Sequence, residues 1–199
     1  MNGSDKPTKR TGPMIVENYH DYTPPPKTRE SVELLLRYVP PEYLVGLQSI
    51  VLSNIGAFTR KERKSAALGR RGKVSLAKTR GWYSGSRKKG FPASIRLNID
   101  RIEASDVSWF RHIPLLRYQA LSEVLYHEIG HHIHFAHRPV HDGKENVAED
   151  WQRKLFRRFA RARYPFLVPV LRMLYPIVRR IGRRMLRGKV PANDPIFKD

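Results

Sequence analysis

The chain has 199 residues, enough for one domain with a real core, and carries a net charge of +20 from 38 Lys and Arg against 18 Asp and Glu. It contains no cysteine, which excludes a disulfide framework and any thiolate-held metal, so a metal here has to be held by histidine and carboxylate. The opening MNGSDKPTKRTGPM lacks the apolar stretch of a secretory signal and no apolar run nears the ~20 residues of a bilayer span, so a cytoplasmic protein is expected, peripheral at most to a membrane or to nucleic acid.

Residues 1–30 are polar and hold Pro24-Pro25-Pro26, and they read as a flexible leader. Ser31 to Val39 predicts a short helix. A second helix is expected to start at Pro41, with Leu44, Leu47, Ile50 and Val51 as its buried stripe. Residues 56–73, rich in Gly and basic side chains, read as a loop. Val74-Ser75-Leu76, Trp82-Tyr83 and Ile95–Ile99 carry strand signals, the last by apolar and polar alternation. The segment Gly85–Gly90 has hairpin-loop composition, and Pro92 favours an edge position for the strand that follows.

Pro114 opens a long helical stretch to about Ala136, broken by the residues 137–143. Lys144 to Arg163 reads as another helix, with Val147, Ala148, Trp151, Leu155 and Phe159 apolar at helical spacing and Trp151 in the core. The segment 165–199 is basic and amphipathic, with Pro169 and Pro176 interrupting any helix.

The charge is unevenly placed. Residues 60–90 hold twelve Lys or Arg against the single acid Glu62, and Trp151 to Asn193 holds thirteen and no acid. Such a field attracts polyanions, whether nucleic acid or an anionic membrane surface; the plainer reading is a solvated basic face.

The chemistry lies in His127-Glu128-Ile129-Gly130-His131, an HExxH motif inside a predicted helix. Residues four apart share a helix face, so His127 and His131 can offer two imidazole nitrogens to one zinc ion. Glu128 is placed to serve as general base toward a water at that ion, and is the candidate catalytic residue. Gly130 costs ~1 kcal/mol of helix propensity relative to Ala, and close packing against a crossing element is the expected return. His132 and His134 read as polar surface or outer-sphere residues.

A catalytic zinc takes three protein ligands and keeps one position open. Glu145, at the start of the next helix, can be brought to the metal by a helix hairpin. Glu149 lies one turn further on the same face, and the two can divide ligation and orientation of a ligand histidine in either sense. His137 is a further alternative ligand, because His131-x-x-His134-x-x-His137 is similar to the extended HExxHxxGxxH pattern of the metzincins, with His134 where that pattern has Gly. His141 or Asp142 can also reach inward from the turn.

His127–His131 followed by Glu145-Asn146-Val147-Ala148-Glu149-Asp150-Trp151 resembles the gluzincin branch of the zincin metallopeptidases, over roughly residues 80–160. Glu145 falls at the third-ligand position of their E-x-x-x-D arrangement, and Glu149 where an acid orients the first histidine. The small ImmA/IrrE-like metallopeptidases show a similar pattern, matched by Glu145, Ala148 and Trp151. The resemblance implies an α+β zincin-like domain over residues 31–164, with a small antiparallel sheet, the HExxH helix and a Glu-bearing helix. It implies a zinc-dependent peptidase acting on a peptide or protein, with strand 94–99 as the edge that pairs with extended substrate. Tyr164 and His141 are the downstream candidates for stabilising an oxyanion. The alternative is a basic module that binds nucleic acid or an anionic surface, with a structural or vestigial metal site.

Overall fold

The computed structural model describes residues 12–69, 72–85, 92–104, 118–137 and 145–166. In chain order these form β1 (Met14–Asn18), α1 (Thr28–Leu36), β2 (Leu47–Ser53), α2 (Arg60–Lys64), β3 (Ala66–Gly69), β4 (Gly72–Ser75), β5 (Gly81–Ser84), β6 (Ala93–Asn98), α3 (Ile99–Ala104), α4 (Gln119–His137) and α5 (Glu145–Arg163). The fold is α+β. Among the described residues no helix is long and apolar enough to cross a membrane.

A four-stranded sheet has the order β1-β2-β6-β5. It is small, as expected, but mixed rather than antiparallel: β1 pairs with β2 and β2 with β6 in parallel, and only β5 runs antiparallel to β6. Ile50, Leu52, Ile95 and Leu97 are fully buried on the two interior strands. Strands flanked on both sides in a parallel arrangement read as near-continuous apolar runs, and the seven residues LQSIVLS of β2 fit that description.

This corrects three expectations. Leu47, Ile50 and Val51 belong to a strand, not a helix; only Pro41–Leu44 coils, as a single 3₁₀ turn. Residues 14–18 are not part of a leader but a sheet edge, in register from Met14 opposite Ser49 to Asn18 opposite Ser53, with Ile15 buried. The 56–73 stretch is not all loop. Thr59 and Glu62 form a reciprocal capping box that starts α2, and β3 and β4 pair as a separate two-stranded sheet.

The alternation along β6 was read correctly. Ile95 and Leu97 point into the core, and Arg96 points to the other face, where it bonds Glu62 at 2.8 Å. Its guanidinium lies over Phe58 and Trp82 at 5.6 and 5.2 Å. The core face is closed by α1, α4 and α5 through Val32, Leu35, Leu125, Ile129 and Phe159. Tyr126, fully buried, donates its hydroxyl to the Leu35 carbonyl at 3.0 Å and ties α4 to α1.

Candidate metal centre

Two glycines allow α4 to sit close to its neighbours. A Cβ on Gly81 of β5 would come within 2.7 Å of the Val124 side chain, so strand and helix meet there with no room for one. A Cβ on Gly130 would come within 2.7 Å of the Ala148 carbonyl oxygen and 2.8 Å of its Cα. The second contact is the close crossing expected of Gly130, and it presses the first turns of α5 against the HExxH face of α4.

That crossing brings Glu145 to the histidines. Its Oε2 stands 3.1 Å from His127 Nε2 and 3.7 Å from His131 Nε2, and the two imidazole rings are perpendicular with centroids 4.8 Å apart. Among the described residues this is the group whose ligand atoms converge, all within 4.8 Å of one another. Donors held tetrahedrally at the zinc–nitrogen distance of ~2.1 Å lie ~3.4 Å from each other, and the two carboxylate contacts fall on either side of that value. Three neutral-or-anionic N and O donors suit zinc. Burial, reinforced by His127 and His134, holds the His131 imidazole down to about 4, so it stays neutral with a lone pair available.

Glu128 lies beside this group, only 6 % exposed. Burial pushes its carboxyl up to about 8, the Glu145 carboxylate adds to the rise, and a bond from the Tyr83 backbone N–H opposes it. The origin of that bond is in the sheet. The Asn98 N–H donates to the Arg80 carbonyl at 2.8 Å. Bonded and non-bonded pairs alternate in an antiparallel ladder, so Trp82 bonds to Arg96 while Gly81 and Tyr83 turn their backbone groups away from β6. β5, not β6, is therefore the edge strand beside α4. Strand 94–99, expected at the edge, is interior.

A cleft of about 560 Å³ opens between β5, α4 and α5, lined among others by Arg80, His127, Glu128, Glu149 and Arg153. Glu149 thus faces the cleft without joining the converging ligand atoms, and Arg153 holds its carboxylate at 3.4 Å. Arg80 pairs with Glu123 at 3.1 Å. Asn98, fully buried, anchors the cleft wall by donating its side-chain amide to the Thr79 carbonyl at 2.7 Å.

His132 and His134 are buried, not surface, residues. His132 Nε2 lies 3.1 Å from the Val45 carbonyl and Nδ1 3.3 Å from the Tyr83 hydroxyl. A carbonyl only accepts, so Nε2 carries the proton and, in the neutral ring, Nδ1 accepts from Tyr83. His132 thereby clamps β5 to α4. His134 faces a second cavity of about 370 Å³, shared with Tyr43, Val147 and Trp151. Trp151 packs on the core, edge-on to Tyr43 at 4.9 Å. Tyr164 packs edge-on to Phe159 at 6.1 Å and does not line the cleft. His137 ends α4, and its side chain lies outside the described set, as do His141, Asp142 and the segment 167–199.

Sequence alone does not single out Tyr83, His132 or Asn98. The alternation on β5 and β6 is the one signal that points to Tyr83. Comparison of the chain with protein-family models, with curated proteins and with solved structures finds no match in any of the three.

Proposed function

We propose that the chain is a zinc metallopeptidase of the gluzincin type, with His127, His131 and Glu145 as ligands and Glu128 as general base. The observation that carries this is the convergence of Glu145 on the two histidines with Glu128 buried alongside. Three convergent donors leave a coordination position open, as a catalytic site requires and a closed structural site does not. Zinc bound there would supply Lewis acidity, polarising a peptide carbonyl and acidifying a water.

The rest falls to the chain's own side chains. Glu128, held by the Tyr83 N–H, is a base only in its ionised form, which a dication held by the neighbouring ligands would favour; its carboxylate then takes a proton and returns it to the leaving amine. Gly81 lines the cleft with its backbone groups turned away from β6, so an extended peptide would add to β5 there, next to the Tyr83 N–H that Glu128 already occupies, and lie across the histidine face. Arg153 holds Glu149, and Arg80 holds Glu123, which keeps the cleft walls charge-paired. Substrate is then a peptide or protein segment in extended form.

The experiment is metal content and peptide-library digestion of purified protein loaded with zinc. The wild type is expected to retain one zinc after dialysis and to cleave, His127→Ala with His131→Ala to lose the metal, and Glu128→Gln to keep the metal but not cleave. Metal retained without both histidines would refute the ligand set, and cleavage surviving Glu128→Gln would refute the base.

A further inference from the structure

Helix α5 changes character along its length. Its first turns carry Glu145, Glu149 and Asp150, and from Trp151 to Arg163 it has six basic residues and no acid. At 100° per residue, the buried Ala148, Leu155 and Phe159 gather on one side. Lys154, Arg158 and Arg161 fall within about 60° of one another on an exposed flank of the helix, with Arg153 and Arg157 directly opposite the buried side. Arg153 is tied to Glu149 and Asp150 and belongs to the cleft. Lys154, Arg158 and Arg161 are exposed, and the Lys154 ammonium lies 4.9 Å from the Trp151 ring.

Just past the helix, Phe166 is 87 % exposed, more than any other exposed large apolar side chain among the described residues. The sequence from Leu167 to Leu186 continues in kind, with apolar residues interleaved with Arg172, Arg179, Arg180, Arg183 and Arg184 and no acid.

We propose that this face of α5, with Phe166 at its end, seats the protein on an anionic lipid surface. After Asp150 the helix carries no further acid in sequence, so the exposed Lys154, Arg158 and Arg161 direct their field to whatever lies outside. Anionic headgroups complement it in charge. A nucleic-acid duplex would answer the arginines but takes up an aromatic ring only at the cost of unstacking a base step, whereas the interface just below the headgroups accepts one directly. The buried side of α5 faces α4, so a membrane on the opposite side leaves the crossing at Gly130 undisturbed. The inference concerns a different surface from the metal centre and stands whether or not the chain cleaves peptides.

The test is flotation of the full chain with vesicles of phosphatidylcholine and phosphatidylglycerol, against vesicles of phosphatidylcholine alone, at physiological salt. A duplex DNA shift assay runs in parallel. Each basic residue near an anionic surface is worth about fivefold in partitioning. Arg158→Glu with Arg161→Glu is therefore expected to weaken binding to the mixed vesicles at least about twenty-five-fold. Phe166→Ser is expected to weaken it about tenfold, the loss of one inserted aromatic ring, with no effect on any DNA binding.

Circular dichroism melts check that the variants fold, and Arg158→Gln with Arg161→Gln replaces the reversal if it does not. Three results would overturn the proposal: wild-type vesicle binding by the charge variant, equal binding to both vesicle types, or tighter binding to DNA with no response to Phe166→Ser.

Discussion

The substitution Gly130→Ala puts one methyl group where α4 and α5 cross. The added carbon would stand 2.7 Å from the Ala148 oxygen and 2.8 Å from its Cα, against ordinary contacts of ~3.5 Å. Both neighbours are backbone, so no side chain can swing aside, and α5 has to withdraw by roughly 0.7 Å. Overpacking of this kind costs about 1–3 kcal/mol. The gain in helix propensity returns ~1 kcal/mol, leaving a net loss of roughly 0–2 kcal/mol. The effect on metal is larger, because Glu145 lies less than one turn from Ala148 and moves with it. Ligand distances in metal sites hold to within about 0.2 Å. Zinc affinity is expected to fall tenfold or more, read by competition against a chromophoric chelator, while the melting temperature of the chelator-treated protein drops by no more than several degrees. Wild-type affinity together with a raised melting temperature would mean that propensity alone governs Gly130 and that the crossing does not position Glu145.

Among the acids, Glu145→Gln is expected to cost at least about a hundredfold in zinc affinity, and Glu149→Gln no more than the ten- to hundredfold of an outer-sphere partner; the reverse order in a chelator titration would exchange their roles. His137→Ala should bind zinc as the wild type does, and loss of metal there would install His137 as the third ligand. His132→Ala leaves the Val45 carbonyl and the Tyr83 hydroxyl without their partner, at about 2–4 kcal/mol in denaturant unfolding; a loss under about 0.5 kcal/mol would show that the clamp is dispensable. The chelator-treated protein should also lose stability as pH rises from 6.5 to 8. Folded Glu128 keeps its proton up to about 8 while the unfolded carboxyl releases it near 4.5, so the folded state binds more protons in that window. His131 works in the opposite sense, its folded value of about 4 against 6.5 making stability rise with pH, but only below 6.5. Melting temperatures of Glu128→Gln should be flat from 6.5 to 8; a decline as steep as the wild type's would remove Glu128 as its source.

How far the sequence can be read depends on whether the deciding interaction is local. α4 and α5 were legible because helical spacing of apolar residues is a local signal, and Gly130 because an unfavourable residue in a long helix calls for a packing reason. β2 was not. Leu44, Leu47, Ile50 and Val51 suit a helix as well as a strand, and what decides is pairing of β2 with β1 on one side and β6 on the other, thirty-five and forty-five residues away in sequence. β1 is five residues long and has little meaning without that partner. In the candidate site, the choice among Glu145, Glu149 and His137 depends on how closely two helices approach, a distance that spacing along one chain does not encode. The burial of His132 and His134 was hidden for the same reason, since Val45 and Tyr83 come from other elements.

The bond from the Tyr83 N–H to Glu128 also bears on how readily a second copy could add to this edge. An edge strand with outward backbone groups is a template on which a second molecule can add its own edge and begin to aggregate. Here a carboxyl from the packed helix already occupies an outward donor of β5, and a stray strand would have to displace a buried group to pair. The carboxyl proposed as general base therefore also makes strand addition at Tyr83 costly.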